Sequence, residues 1–266
     1  MAIMGTDTRK VPDWLDSLEA RNLSPNTIAT YARTMRTFPD ADGADVDRAE
    51  AWWQSRRALS PATRCNELAA VRAFYRWQIR HDVRPDDPTR LIDAPKLPRG
   101  IPHPLSRVDL AHLLNTLGDD MRRAVALGAY AGLRVSEAAS LDWREVDREF
   151  NRLRVSGKGA KERLVGLHPL LLDHLLPDTG GNVVTAGESV YSAGTLQRKV
   201  NRAIKDAGVQ ATYHAARHRF GTVALAGTDN LLAVSRAMGH SKPETTAIYA
   251  AATDSDLDLI AAAAVR

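Results

Sequence analysis

The chain has 266 residues, 44% of them apolar and 26% charged, which suits one or two globular domains and excludes a disordered or fibrous polymer. A net charge of +4, a pI near 9.3 and an excess of arginine over lysine favour a polyanionic partner wherever that charge is clustered. The single cysteine, Cys65, excludes an internal disulfide and a cysteine-rich zinc site. The opening "MAIMGTDTRKVPDW" lacks a secretory leader and no window reaches the ~18 apolar residues of a membrane span, so a cytoplasmic protein is expected.

Residues 11 to 81 read as four helices. "VPDWLDSLEAR" is the first, and "SPNTIATYARTMRTF" the second, with Ser24 as N-cap, Pro25 at the first helical position and Ile28, Tyr31, Met35 and Phe38 at helical spacing. "DVDRAEAWWQSRRA" is the third. "SPATRCNELAAVRAFYRWQI" repeats the Ser-Pro opening at Ser60 and Pro61, and Leu68, Val71, Phe74, Tyr75 and Ile79 form its apolar stripe; Cys65 reads as packing. This last helix also carries Arg64, Arg72, Arg76 and Arg80, the final three spaced four apart on one face. Such a stripe is either a solvated face or a surface laid against a phosphate backbone.

"RPDDPTRLIDAPKLPRGIPHPLS" is rich in proline and has no periodicity, as expected of a semi-rigid, extended linker. The expected division is therefore a helical domain over 1–90, a linker over 91–104 and a second domain over 105–266. No internal repeat or low-complexity tract is present. In the second domain "SRVDLAHLLNTLG" and "DMRRAVALGAYAGLRVSEAASL" look helical, the latter as one element. "RLRVSGKGAKERLVGL" changes period, with apolar residues alternating on either side of Gly157-Lys158-Gly159, a β-hairpin signature. Further helices are expected near 194–207, 214–226, 230–238, 243–252 and 255–265. The expected fold class is mainly α, with a four-helix bundle followed by a mostly helical domain holding a small antiparallel sheet.

Several polar groups are embedded in these elements. "AGLRVSE" sets Arg134 three residues before Glu137, "GKG" sets Lys158 at a hairpin tip, "HAARHRFGT" sets His214 and Arg217 on one helical face, and "GHSKPETTAIYA" supplies His240 and Tyr249. Singly, each has an ordinary structural explanation as an ion pair, a turn lysine, a core histidine or a packed phenol. Together, in this order and separation, the motifs from about residue 10 to about residue 255 resemble the tyrosine recombinase (phage integrase) family, of the Xer-like or simple phage type. The resemblance implies that Arg134, Lys158, His214, Arg217, His240 and Tyr249 are catalytic, that the first domain is a SAM-like core-site-binding bundle, and that the activity is site-specific DNA recombination through a 3′-phosphotyrosine. It further implies four protomers on two sites made of short inverted half-sites, a Holliday junction between rounds, a monomer when free, and an accessory factor controlling direction.

Elementary chemistry agrees with that set. Attack on a phosphodiester accumulates charge on the nonbridging oxygens, which suits the paired planar donors of Arg134 and Arg217. A phenol with a reference pKa of about 10 needs a base, and His214 is the candidate. Lys158 is the candidate acid for the 5′-oxygen, its pKa lowered by neighbouring arginines. His240 would hold the phosphate, and Glu137 reads as a brace for an arginine. The chain has no "GxxxxGK[ST]" motif and no carboxylate cluster for paired magnesium ions, so neither ATP nor a metal is expected. His214 and His218 stand at i, i+4, the spacing of a helical zinc pair, but "HAARH" lacks the glutamate of "HExxH" and sets Arg217 beside them.

Some features depart from the family's usual pattern: the two alanines of "HAARH", Gly166 where proline is common, and Ala250-Ala251 after Tyr249. The chain opens directly on the bundle, which leads us to expect no arm-site-binding domain and action on short, simple sites. The ending "TDSDLDLIAAAAVR" reads as a helix packed on its own domain or docked into the next protomer. Alternative readings are a type IB topoisomerase or telomere resolvase with the same chemistry, and an inactive DNA-binding homologue.

Overall fold

The computed structural model describes residues 11–38, 40–97, 103–157, 162–176, 178, 180–187 and 189–240. The chain divides into two units, Met1–Arg99 and Gly100–Arg266. Among the described residues no helix is long and apolar enough to cross a membrane.

The first unit contains α1 (Val11–Ala20), α2 (Pro25–Arg36), α3 (Val46–Ser55) and α4 (Pro61–Arg80). Both Ser-Pro openings behave as the sequence predicts. The hydroxyl of Ser24 accepts the Thr27 amide at 3.3 Å and that of Ser60 accepts the Thr63 amide at 3.2 Å, so each satisfies a donor the helix itself leaves open. The core is aromatic. Trp14, Phe38, Trp52, Phe74 and Tyr75 are buried, with Phe38 stacked on Trp52 at 5.1 Å, and such large rings, packed with Leu18, Met35, Leu68 and Val71, suit the core of a small bundle.

The proline-rich stretch enters this unit further than its composition suggests. Thr89 and Ile92 are buried, the Asp87 carboxylate caps the Thr89 amide at 2.8 Å, and Arg72 Nη2 donates to the carbonyls of Thr89 at 3.1 Å and Ile92 at 2.6 Å. Cys65 Sγ reaches the Pro95 carbonyl at 3.4 Å. Ile92 and Pro95, at the start of the segment expected as a semi-rigid, extended linker, are thus held on α4.

The second unit runs α5 (Arg107–Thr116), α6 (Asp119–Ala131), α7 (Val135–Ser140), β1 (Val146–Asp147), β2 (Arg152–Ser156), β3 (Glu162–Gly166), α8 (Pro169–Leu175), β4 (Thr185–Ala186), β5 (Ser189–Val190), α9 (Ala193–Asp206), α10 (Tyr213–Thr228) and α11 (Leu231–Met238). The three-stranded antiparallel sheet has the order β1-β2-β3, and β2 pairs with β3 from Arg152↔Gly166 to Ser156↔Glu162, as the hairpin pattern predicts. Helix α6 begins with charged residues, but from Arg123 to Ala129 every residue is buried, with Val125, Ala126, Leu127 and, at its end, Ala131 fully inside. It meets α10 closely, because at Gly128 a Cβ would come within 3.2 Å of the Tyr213 ring.

Three expectations need correction. The helix foreseen as one element across "AGLRVSE" is two, because Gly132 adopts a left-handed φ of 64° and ends α6, its amide bonding to the Gly128 carbonyl at 3.2 Å. Arg134 is consequently the N-cap residue of α7 in extended conformation, not a residue inside a helix. Helix α8 and the small β4–β5 pair were not foreseen. The helices expected near 243–252 and 255–265 lie outside the described residues.

Candidate active site

The break at Gly132 sets the geometry of the site. It turns the chain so that Arg134 N–H meets its own Glu137 carboxylate at 2.7 Å, and Arg134 Nη1 donates to the same carboxylate at 2.9 Å. Glu137 is 5% exposed and serves more than one arginine. Both terminal nitrogens of Arg163, on β3, donate to its two oxygens at 2.8 Å in a fork. Arg217 Nη1 lies 3.8 Å from Oε2. Burial by itself would raise the Glu137 carboxyl, but the Arg163 and Arg134 bonds and charges outweigh it and hold the group below the usual carboxylate value.

The other side of the site comes from α10 and the end of α11. Arg217 is 2% exposed; it donates to the Gly132 carbonyl, to the Met238 carbonyl at 2.8 Å, and meets His240 Nε2 at 3.0 Å. A guanidinium only donates, so His240 Nε2 must be the acceptor and the ring is neutral. Its pKa agrees, lowered to about 4 by burial and then by Arg217, Arg134 and Arg163. At the end of α11 three consecutive carbonyls are each taken by a different arginine: Ala237 by Arg163 Nε at 2.7 Å, Met238 by Arg217, and Gly239 by Arg134 Nη2 at 2.7 Å. Helix ends leave carbonyls unpaired and carry partial negative charge, which is why three cations collect there.

These groups border one cavity of about 490 Å³, lined among others by Arg134, His214, Arg217, His218 and His240. His214 stands edge-on to His218, ring centres 4.3 Å apart. Burial first, then Arg217 and Arg134, lowers the His214 pKa below its usual value, so it is a neutral proton acceptor; His218 is lowered to about 4 by burial and by His214, Arg217 and His103. The cavity also has a phenol, Tyr213, but its hydroxyl is buried and donates to the Leu133 carbonyl at 3.0 Å, and burial raises its pKa. It ties α10 to the chain after α6 and is no nucleophile. Among the described residues no three His, Cys, Asp or Glu side chains group as a metal site.

Of the six residues singled out from the sequence, Arg134, His214, Arg217 and His240 come together here, while Lys158 and Tyr249 lie outside the described residues. Two features escaped the sequence reading. Arg163 had a signal, since it is two residues before buried Val165 and the alternation of a strand turns it to the same inward face. Exposed Arg198, Lys199, Arg202 and Lys205 make α9 basic, while Gln197 and Asn201 of the same helix line the cavity.

In the first unit the four arginines of α4 separate. Arg64 lies over the Trp53 ring, 4.2 Å from its centre, and Arg72 is engaged with Thr89 and Ile92 as described. Arg76 and Arg80 are exposed. The expected stripe is therefore two exposed guanidiniums and two engaged ones, because the chain after α4 folds back over Arg72.

Comparison with known proteins adds the following. Residues 107–256 match the phage integrase family. The chain is 31% identical over 255 residues to the tyrosine recombinase XerC of Xanthomonas campestris pv. campestris, covering 86% of this chain and 79% of the relative. It is similar in fold to a lambda integrase dimer bound to a COC′ core site, with a TM-score of 0.75 at 14% identity over 90% of this chain and 93% of that one. It is likewise similar to a lambda integrase tetramer bound to a Holliday junction, with a TM-score of 0.74 at 15% identity over 91% of this chain and 78% of that one.

Proposed function

Because this chain belongs to the tyrosine recombinase (phage integrase) family and is Xer-like within it, a site-specific DNA recombinase that acts through a tyrosine, we propose that the cavity between α7, α10 and α11 receives the scissile phosphate and that Tyr249 is the nucleophile. The observation that carries this reading is the convergence of Arg134 and Arg217 with neutral His214 and His240 on one cavity, the guanidiniums locked by Glu137 and by the end of α11.

The residues then divide the work. Arg134 and Arg217 neutralise the nonbridging oxygens as charge grows on them. The Tyr249 oxygen attacks phosphorus and its proton passes to His214, whose lowered pKa keeps it ready to accept. The bond to the 5′-oxygen breaks, and Lys158 gives that oxygen its proton. His240 bonds the phosphate from the side of α11. A 5′-hydroxyl from the partner strand reverses these steps, so the phosphotyrosine keeps the bond energy and the exchange consumes no nucleotide.

Exposed Arg76 and Arg80 on α4, with the basic face of α9, suit the tracking of DNA backbone, Arg64 and Arg72 contributing through packing. The fold shared with the lambda integrase tetramer on a Holliday junction supports an assembly of four protomers; that this chain works on two sites with short inverted half-sites, is a monomer when free, takes its direction from an accessory factor and acts in the bacterial cytoplasm belongs to the same proposal and rests on its membership of the family.

The test begins with half-sites selected from a randomised duplex library by the Tyr249→Phe chain. That variant should bind them and leave no covalent adduct on a nicked duplex built from them, whereas the unaltered chain forms one. An adduct with Tyr249→Phe would show that another residue attacks.

A further inference from the structure

Arg163 has no part in the reaction assigned above, yet only 12% of its side chain is exposed. It springs from β3 and joins two other elements at once. Its terminal nitrogens grip both oxygens of Glu137 at 2.8 Å, and its Nε donates to the Ala237 carbonyl at 2.7 Å. Glu137 in turn holds Arg134 through backbone and side chain, and Arg134 holds Gly239. Gly239 leaves no room between the guanidiniums: a Cβ there would stand 2.8 Å from Arg163 Nη1 and 3.3 Å from Arg134 Nη1.

We propose that Arg163 is a positioning residue for recombination, fixing Arg134 through Glu137 and the end of α11 through Ala237 in the geometry required at the nonbridging oxygens. It rests on the reading of Arg134 and Arg217 as the phosphate clamp. Without the fork, Glu137 is free to swing toward Arg217, 3.8 Å away, and Arg134, whose side chain is already 39% exposed, loses its fixed partner. A lysine at 163 keeps the charge but is a single point donor, and cannot span two carboxylate oxygens and a carbonyl in one plane.

The test uses the full chain, the nicked duplex above and the rate of adduct formation at saturating DNA. Arg163→Met and Arg163→Lys should each slow it about 100-fold, the cost of a displacement near 1 Å at a reacting centre. Half-site affinity, measured in a Tyr249→Phe background, should not change. A duplex whose scissile phosphate carries a methyl group in place of one nonbridging oxygen is uncharged at that linkage and asks less of the guanidiniums. On it the deficit should shrink to below about tenfold, as it should for Arg134→Met.

If Arg134→Met recovers on the methylated linkage and the Arg163 variants do not, Arg163 merely supports the fold and the proposal fails alone. If Arg134→Met does not recover either, the clamp reading fails and takes the proposal with it. Full activity in Arg163→Lys would show that charge suffices, overturning the claim. Should Arg163→Met not fold, Arg163→Lys carries the comparison.

Discussion

Replacing Glu137 by glutamine keeps the side chain's shape and removes its charge from among three guanidiniums. The carboxylate is 5% exposed and accepts from the Arg134 amide, Arg134 Nη1 and both terminal nitrogens of Arg163. Glutamine offers one acceptor oxygen and turns an amide nitrogen toward donors. Removing one partner of a buried ion pair costs about 3–5 kcal/mol. Water at the partly exposed Arg134 offsets some of that, so we expect about 3 kcal/mol. For a unit of this size 1 kcal/mol moves the midpoint by roughly 2–4 °C, so calorimetry of the full chain should show the second unit melting about 6–12 °C lower. The pH dependence has a definite sign. The folded carboxyl lies below its usual 4.5, so its stabilisation is complete above 4.5 and is lost as the pH falls through the folded value. The gap between unaltered chain and variant should therefore narrow on acidification. Equal melting temperatures at neutral pH, or a gap that widens in acid, would refute the account of Glu137 as the common counter-ion.

Other expectations follow from the same structure. Gly132→Ala places a Cβ 2.4 Å from the Phe220 ring at a φ of 64°, so the urea midpoint should report a loss of about 2–3 kcal/mol. Because burial, then Arg217 and Arg134, keep the His214 pKa below 6.5, the acid limb of the adduct rate should be centred below pH 6.5, and a limb centred above that value contradicts the assignment of the base. His218 and His240, lowered to about 4, add stability that is complete above their unfolded value near 6.5 and is lost as the pH falls toward 4; His240→Asn should flatten that part of the melting curve. Arg72→Met should speed amide exchange around Thr89 and Ile92 by freeing the carbonyls it holds, whereas Arg76→Ala should change stability by less than about 0.5 kcal/mol and lower the salt dependence of DNA binding.

Much of the fold could be read from local chemistry. Ser24-Pro25 and Ser60-Pro61 start helices where the sequence predicts because a hydroxyl cap and a fixed φ act within one turn. The β2–β3 hairpin was legible for the same reason, its alternation being a property of neighbours along the chain. What escaped depends on distant partners. Gly132 sits inside a strongly apolar stretch that reads as continuous helix, and its role as a terminator is fixed by the turn that brings Arg134 to Glu137. Helix α8, "PLLLDHL", is short and carries too few polar positions to display a period. Of the site, the order of Arg134, His214, Arg217 and His240 was visible. Arg163 was in plain view within "GKGAKER", but its meaning lies in an acid 26 residues earlier and a carbonyl 74 residues later, which no local pattern encodes.

At residues 237–239 the three arginines take peptide carbonyls and not side chains, and that part of their recognition is blind to residue identity. A saturation library over 237–239 should therefore answer to other demands: Ala237 to local space, Met238 to the apolar interior where it is wholly buried, and Gly239 to a backbone angle of 64° with two guanidiniums pressed against it. The geometry that gathers these three arginines is in this sense written in the main chain at those positions, and tolerance should be restricted to apolar residues at Met238 and fall most steeply at the glycine.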